Sequence, residues 1–148
     1  MLVFGILCGV LGIALLLSSF EGNVVDPPPE EVVLQRLTGI ASHYGMNDGF
    51  HGRCMADGRM YNKNLMTAAH RSLPLGTKVR VSYKAQSVLQ TITDRGPYIQ
   101  GRIIDLSEGA ARKLDMIEKG IAVVAVDVLE KPARSEKYHH GNIQCLKA

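Results

Sequence analysis

Tryptophan is absent from the 148-residue chain, and aromatic residues together make up only 5% of it. A stacking platform for single-stranded nucleic acid is therefore poorly supplied. Blocks of consecutive lysine and arginine are missing too: the 17 basic and 14 acidic residues are dispersed and leave a formal net charge of +3. These two absences exclude nucleic acid as the expected partner, while the mild positive balance suits anionic glycans or lipid headgroups. Five histidines are present, His139 and His140 side by side, but neither a His-x-x-x-His nor a Cys-x-x-Cys spacing occurs. No metal and no other cofactor is expected.

Charged side chains are also missing from the first twenty residues, MLVFGILCGVLGIALLLSSF. A run of that length can cross a bilayer as a helix. A secretory signal usually opens on basic residues and ends at small ones; here the basic opening is lacking, and Ser18-Ser19 is a passable small-residue site. A signal peptide over residues 1–21 and an uncleaved anchor both stay open, and either exports the rest of the chain to the cell envelope. Cys8 lies inside the run and reads as a small hydrophobe. Of the three cysteines, Cys54 and Cys145 remain. In an oxidising compartment they can pair, or they can stay as two free thiols.

What is present describes one domain. Hydrophobic residues at 46% against 21% charged supply a packed core. Residues 22–36, GNVVDPPPEEVVLQR, form a spacer, stiffened by three consecutive prolines. From residue 37 strand-like runs begin: LTGIASHYG, then TKVRVSY with Val79, Val81 and Tyr83 on one side, SVLQTIT pairing with it, RIIDL, and IAVVAVDVLE, long enough in apolar residues to be buried on both faces. A glycine-rich polar stretch over 47–64 reads as a long structured loop, and loops of that length carry function. SEGAARKLD is a short helix with Ser107 as N-cap. Residues 131–148 have no periodicity and form a tail. Short strands, one short helix and long loops make an all-β fold, a small barrel.

Three stretches carry a resemblance: GIASHYGMNDGFHGRCMADGRMYN (39–62), LMTAAHRSLPLGTKVRV (65–81) and TDRGPYIQGRIIDLSEGAARKLDMIEKGIAVVAVDVL (93–129). Together they are similar to the rare lipoprotein A family of bacterial cell-wall proteins. The resemblance implies a six-stranded double-psi β-barrel over residues 37–130, all-β with one or two short helices and preceded by the N-terminal hydrophobic helix. It implies an exported monomer, attached to an inner or outer membrane through its N-terminus, whose partner is the glycan strand of peptidoglycan. The implied activity is endolytic lytic transglycosylation, which leaves 1,6-anhydro-muramoyl ends. Asp94 of the DRGP block stands where the family has its acid, and His70 of the AAH block stands beside it. Arg59 and Asn62 occupy positions where the family usually has a glutamate and an aspartate. That departure opens an alternative, a non-catalytic, expansin-like glycan-binding module.

The chemistry of the residues allows the enzyme reading. A hydrolase needs two carboxyl groups. A transglycosylase takes its nucleophile from the substrate's own muramoyl hydroxyl, so one carboxyl group, Asp94, can protonate the leaving oxygen and then receive the hydroxyl proton. The bland readings are that Asp94 caps a turn before Arg-Gly-Pro and that His70 is a hydrogen-bonded structural histidine. Arg95, next to Asp94 in the strand, is expected to project to the opposite face and bind glycan or Asp105. Arg59 either pairs with Asp94 or grips a substrate carboxylate bidentately. Tyr44 and Tyr98 are candidate sugar-stacking rings, with packing as the commoner fate of tyrosine. Arg102 and Asp105 are expected to form an internal pair outside the site.

Overall fold

The computed structural model describes residues 31–133 and Cys145. The expected N-terminal hydrophobic helix, residues 22–30 of the linker and most of the tail lie outside the described residues. Six strands, β1 (Gln35–Tyr44), β2 (Thr67–His70), β3 (Lys78–Tyr83), β4 (Gln86–Asp94), β5 (Arg102–Ser107) and β6 (Ala122–Glu130), are joined by one helix, α1 (Glu108–Lys113), between β5 and β6. β1 starts at Gln35, two residues before the expected domain boundary.

The strands close in the order β1-β5-β2-β4-β3-β6. β1 runs parallel to β5, and β2 parallel to β4; the other four contacts are antiparallel. Closure leaves no sheet edge. β3 and β4 pair as expected across a tight turn in which Lys84 takes a positive φ of 52°. β5 is inserted between β1 and β2, parallel to the first and antiparallel to the second.

Side chains alternate across the barrel wall. Val79, Val81, Ile92, Ile104, Leu106, Val124, Val126 and Val128 point inward and are fully or almost fully buried. Ala110, Ala111, Leu114 and Met116 close one end of this core. With no tryptophan available, the interior is filled by branched aliphatic residues, which suit a narrow pleated lumen. The helix starts at Ser107, whose hydroxyl accepts from the Ala110 N–H, as its capping role requires. β6 is not covered on both faces: Val123 is 63% exposed on the outer side.

Asp127, on that same outer face, is nevertheless buried, because Arg36 of β1 forks onto it at 2.5 and 2.8 Å. Arg80 lies opposite Asp127 in the register and pairs with Glu31 of the spacer. The hydrogen bond and charge of Arg36 hold the Asp127 carboxyl below its usual range. A carboxyl lowered in this way stabilises the native state above its unfolded pKa, and that stability is lost as pH falls through the folded value. Asp127→Asn therefore costs about 1–3 kcal/mol near neutrality, and the difference from wild type shrinks in acid. Urea titrations at both pH values measure it.

Candidate active site

The registers of three strand pairs bring chemistry-bearing residues into one row. Ser42 of β1 lies opposite Asp105 of β5. Asp105 lies opposite Ala69 of β2, and Ala69 opposite Asp94 of β4. Ala68, Ile92 and Leu106, their inward neighbours, are core, so the row Ser42–Asp105–Ala69–Asp94 runs along the outer face of the wall. Two carboxylates thus flank a small residue, their strands two spacings or about 9.5 Å apart.

Asp94 ends β4. Its Oδ1 accepts from the Ala56 N–H at 2.9 Å and from the Arg95 N–H at 2.8 Å. The first of these donors belongs to the long loop over residues 45–66, which folds back over the row. That loop is tied down by the Asp57 N–H on the Thr93 carbonyl, by an antiparallel bridge between Cys54 and Met60, and by the disulfide from Cys54 to Cys145.

Asp105 accepts a short hydrogen bond from the Ser42 hydroxyl, and Arg102 donates to the same hydroxyl at 3.2 Å. Arg102 and Asp105 are thus connected through Ser42, as an internal pair would be, but Asp105 also stands in the row with Asp94. Burial pushes its carboxyl above the usual range, against the opposing pull of Ser42, Arg102, Arg71 and His43. Gly96, two residues after Asp94, lies against it: a β-carbon built there falls 3.9 Å from Asp105 Oδ2 and 3.8 Å from the Tyr98 ring. With φ at +130°, that position suits glycine alone. Gly96-Pro97 is a cis bond.

Tyr44 rises on the same face as Ser42, two residues further along β1. Its ring stacks on Tyr61, with centroids 4.5 Å apart, and meets Phe50 edge-on at 5.8 Å. One face of Tyr44 is therefore spent inside the protein. Its hydroxyl is sealed in without a hydrogen-bond partner among the described residues. Burial, then the charges around it, Asp94, Asp105 and Asp57 among them, push that hydroxyl upward in pKa. Tyr61, pushed up to about 12 mainly by burial, donates to the Tyr44 carbonyl at 2.9 Å. Tyr98 is the opposite case, 82% exposed at the rim.

Arg59 pairs with Asp57 at 2.7 Å, and the Asp57 side chain has no exposed surface. Asn62 Oδ1 accepts from the Asn64 N–H at 3.0 Å, in the turn leading to β2. His70 ends β2 opposite Ile104, on the inward side, and its Nδ1 accepts the Ser72 and Leu73 N–H groups at 3.2 and 3.0 Å. Arg95 directs its guanidinium to the His70 and Leu73 carbonyls at 3.1 and 2.8 Å. The row thus brings Asp94, Asp105 and Tyr44 together, with Tyr98 beside them. His70 and Arg95 meet one level below, in the turn after β2. Asp105 is the participant that sequence reasoning set aside, and its signal was present: in RIIDLS it alternates with Ile104 and Leu106 and so shares the face opposite the core. Ser42 and Arg71 carried no comparable signal. Among the described residues no group of three or more His, Cys, Asp or Glu side chains is arranged to hold a metal ion.

Residues 36–126 match the family described as lytic transglycolase. A protein named probable endolytic peptidoglycan transglycosylase RlpA, from a Nostoc species, is 57% identical over 93 residues, covering 62% of this chain and 25% of that protein. The endolytic peptidoglycan transglycosylase RlpA of Campylobacter jejuni is 43% identical over 104 residues, covering 69% of this chain and 37% of that one. The match therefore spans between a quarter and somewhat over a third of the length of these curated relatives. Among solved structures, the Streptomyces papain inhibitor superposes with a TM-score of 0.56 at 21% identity, covering 66% of this chain and 97% of that one. The Clavibacter michiganensis expansin superposes with a TM-score of 0.52 at 24% identity, covering 67% and 52%. These likenesses are of fold, and they agree with the six-stranded double-psi barrel.

Proposed function

The chain belongs to the lytic transglycolase family, with rare lipoprotein A proteins as its relatives, and from that premise we propose that its barrel cleaves peptidoglycan glycan strands endolytically, leaving 1,6-anhydro-muramoyl ends. The observation that carries this reading is the row in which Asp105 and Asp94 flank Ala69. Two carboxyl groups in unlike surroundings are the usual basis for dividing acid from base.

Asp105, whose carboxyl burial pushes above the usual range, is the group assigned to deliver a proton to the departing glycosidic oxygen. Positive charge then develops at the anomeric carbon. The muramoyl C6 hydroxyl of the same sugar closes onto that carbon, and Asp94 takes the hydroxyl proton. The two backbone N–H groups on Asp94 Oδ1 hold its carboxyl in one orientation for this step. No water enters, so no water-binding site is needed. Tyr98, exposed beside Gly96, offers a ring face to a pyranose. Arg59, paired with Asp57, is the cation this reading assigns to a lactyl or peptide carboxylate.

The same reading has the chain exported to the bacterial envelope and attached through its N-terminus, working as a monomer. The uncharged first twenty residues and the Cys54–Cys145 disulfide support the export.

Digestion of purified peptidoglycan tests the activity: soluble fragments ending in anhydro-muramoyl residues are expected. Arg59 and Asn62, standing where the family usually has a glutamate and an aspartate, favour a second reading, expansin-like binding. In that case the barrel sediments with peptidoglycan and creates no new chain ends.

A further inference from the structure

Each of the two residues singled out in the sequence blocks is followed by an arginine: His70-Arg71 and Asp94-Arg95. The two arginines bind each other's loops. Arg95, from the loop after β4, donates to the carbonyls of His70 and Leu73 at 3.1 and 2.8 Å. Arg71, from the turn after β2, reaches the other way and donates to the carbonyls of Pro97, Ile99 and Arg102 at 2.5, 2.9 and 3.1 Å. Five carbonyls are held by two guanidinium groups. The fixed fork of arginine suits this, and the point charge of lysine does not.

Between the arginines sits His70. Its Nδ1 accepts two N–H groups of its own turn, from Ser72 and Leu73. A ring nitrogen that accepts carries no proton, so the neutral imidazole has its proton on Nε2. Protonating Nδ1 would break both bonds and loosen the turn that Arg95 grips. The charged groups around the ring are Arg71 on its own turn, Arg95 and Asp94 from β4 and its loop, and Asp105 beside Ile104 on β5. Burial first, then Arg95 and Arg71, hold the ring below the ordinary imidazole range.

We propose that Arg71, Arg95 and His70 are positioning residues that act as one latch: the reciprocal clasp and the neutral imidazole cap fix the loops carrying Asp94 and Tyr98, and His70 moves no proton in the reaction. The activity part of this proposal rests on the glycan-cleaving reading; its protonation part does not.

The test begins with nitrogen-15 NMR of the histidine rings in the whole protein, without substrate. His70 is expected to titrate below the value of about 6.5 of a free imidazole, and to be the Nε2–H tautomer when neutral. In Arg95→Met, and separately in Arg71→Met, its pKa moves up toward that value. Titration of wild-type His70 at the ordinary value, or an Nδ1–H tautomer, overturns the proposal, and neither result depends on catalysis. On peptidoglycan, Arg95→Met loses about 10²-fold in turnover, the scale of a misplaced reacting group, and its activity falls off at a higher pH than that of wild type. The decisive pair is His70→Asn and His70→Ala. An asparagine oxygen can accept the same turn N–H groups, so His70→Asn keeps most activity and His70→Ala does not. If both are equally inactive, His70 is a proton carrier and the latch is wrong.

Discussion

Asp105→Asn lowers glycan cleavage by about 10²–10⁴-fold, the worth of a positioned proton donor, and at the same time raises the melting temperature at neutral pH. The two effects share one cause. Burial lifts the Asp105 carboxyl above the usual range, so between its unfolded and folded pKa values the native state binds more protons than the unfolded chain. Stability from this group is present in acid and is lost as pH rises through the folded value. An asparagine cannot ionise, so the mutant escapes that loss. Its gain is expected at neutral pH and should vanish below the ordinary carboxylate range. The amide also keeps an oxygen for the Ser42 hydroxyl to donate to. Initial rates on peptidoglycan and melting curves across this pH range check both halves. A mutant that is less stable at neutrality but active would make Asp105 a structural partner of Arg102 and nothing more.

Cys145→Ser costs about 2–5 kcal/mol of stability, the usual worth of a native disulfide in a small domain. The bond joins residues 91 apart in sequence, so its loss frees a long stretch of the unfolded chain. The effect also reaches the site. Cys54 is two residues from Ala56, whose N–H orients Asp94, and Met55 between them bonds the Arg59 carbonyl and receives the Thr93 hydroxyl on its sulfur. Freed from the tail, this loop is expected to hold Asp94 less firmly, and turnover falls along with stability. Urea midpoints of the oxidised wild type and of the serine variant measure the first effect. Unchanged midpoints would show that the disulfide carries no stability.

Much of the barrel was legible because alternation is a local signal. Val79 and Val81 in β3 and the Ser107 cap of α1 could be read residue by residue. The insertion of β5 between β1 and β2 could not, because it depends on a parallel pairing with β1 and an antiparallel one with β2, both between distant segments. The same limit applied to the site. The family blocks pointed to Asp94 and His70. That Asp105 shares a row with Asp94 follows only once the registers of β5 and β4 against Ala69 are fixed. Tyr44 read as a candidate sugar-stacking ring with packing as the commoner fate; packing is what occurs, and nothing in its own neighbourhood of sequence announces Tyr61 as the partner. Arg95 was expected to project to the face opposite Asp94 and bind glycan or Asp105; its partners are instead the His70 and Leu73 carbonyls, from a turn more than twenty residues earlier. β6 read as buried on both faces because its apolar residues are consecutive, yet Val123 has no covering layer.

The reaction itself is tested most directly by digesting peptidoglycan in oxygen-18 water and weighing the new glycan ends. Intramolecular attack by the muramoyl hydroxyl predicts anhydro ends that carry no label, and their loss in both Asp105→Asn and Asp94→Asn. Labelled reducing ends would make the protein a hydrolase, and the division of roles between Asp105 and Asp94 would be contradicted.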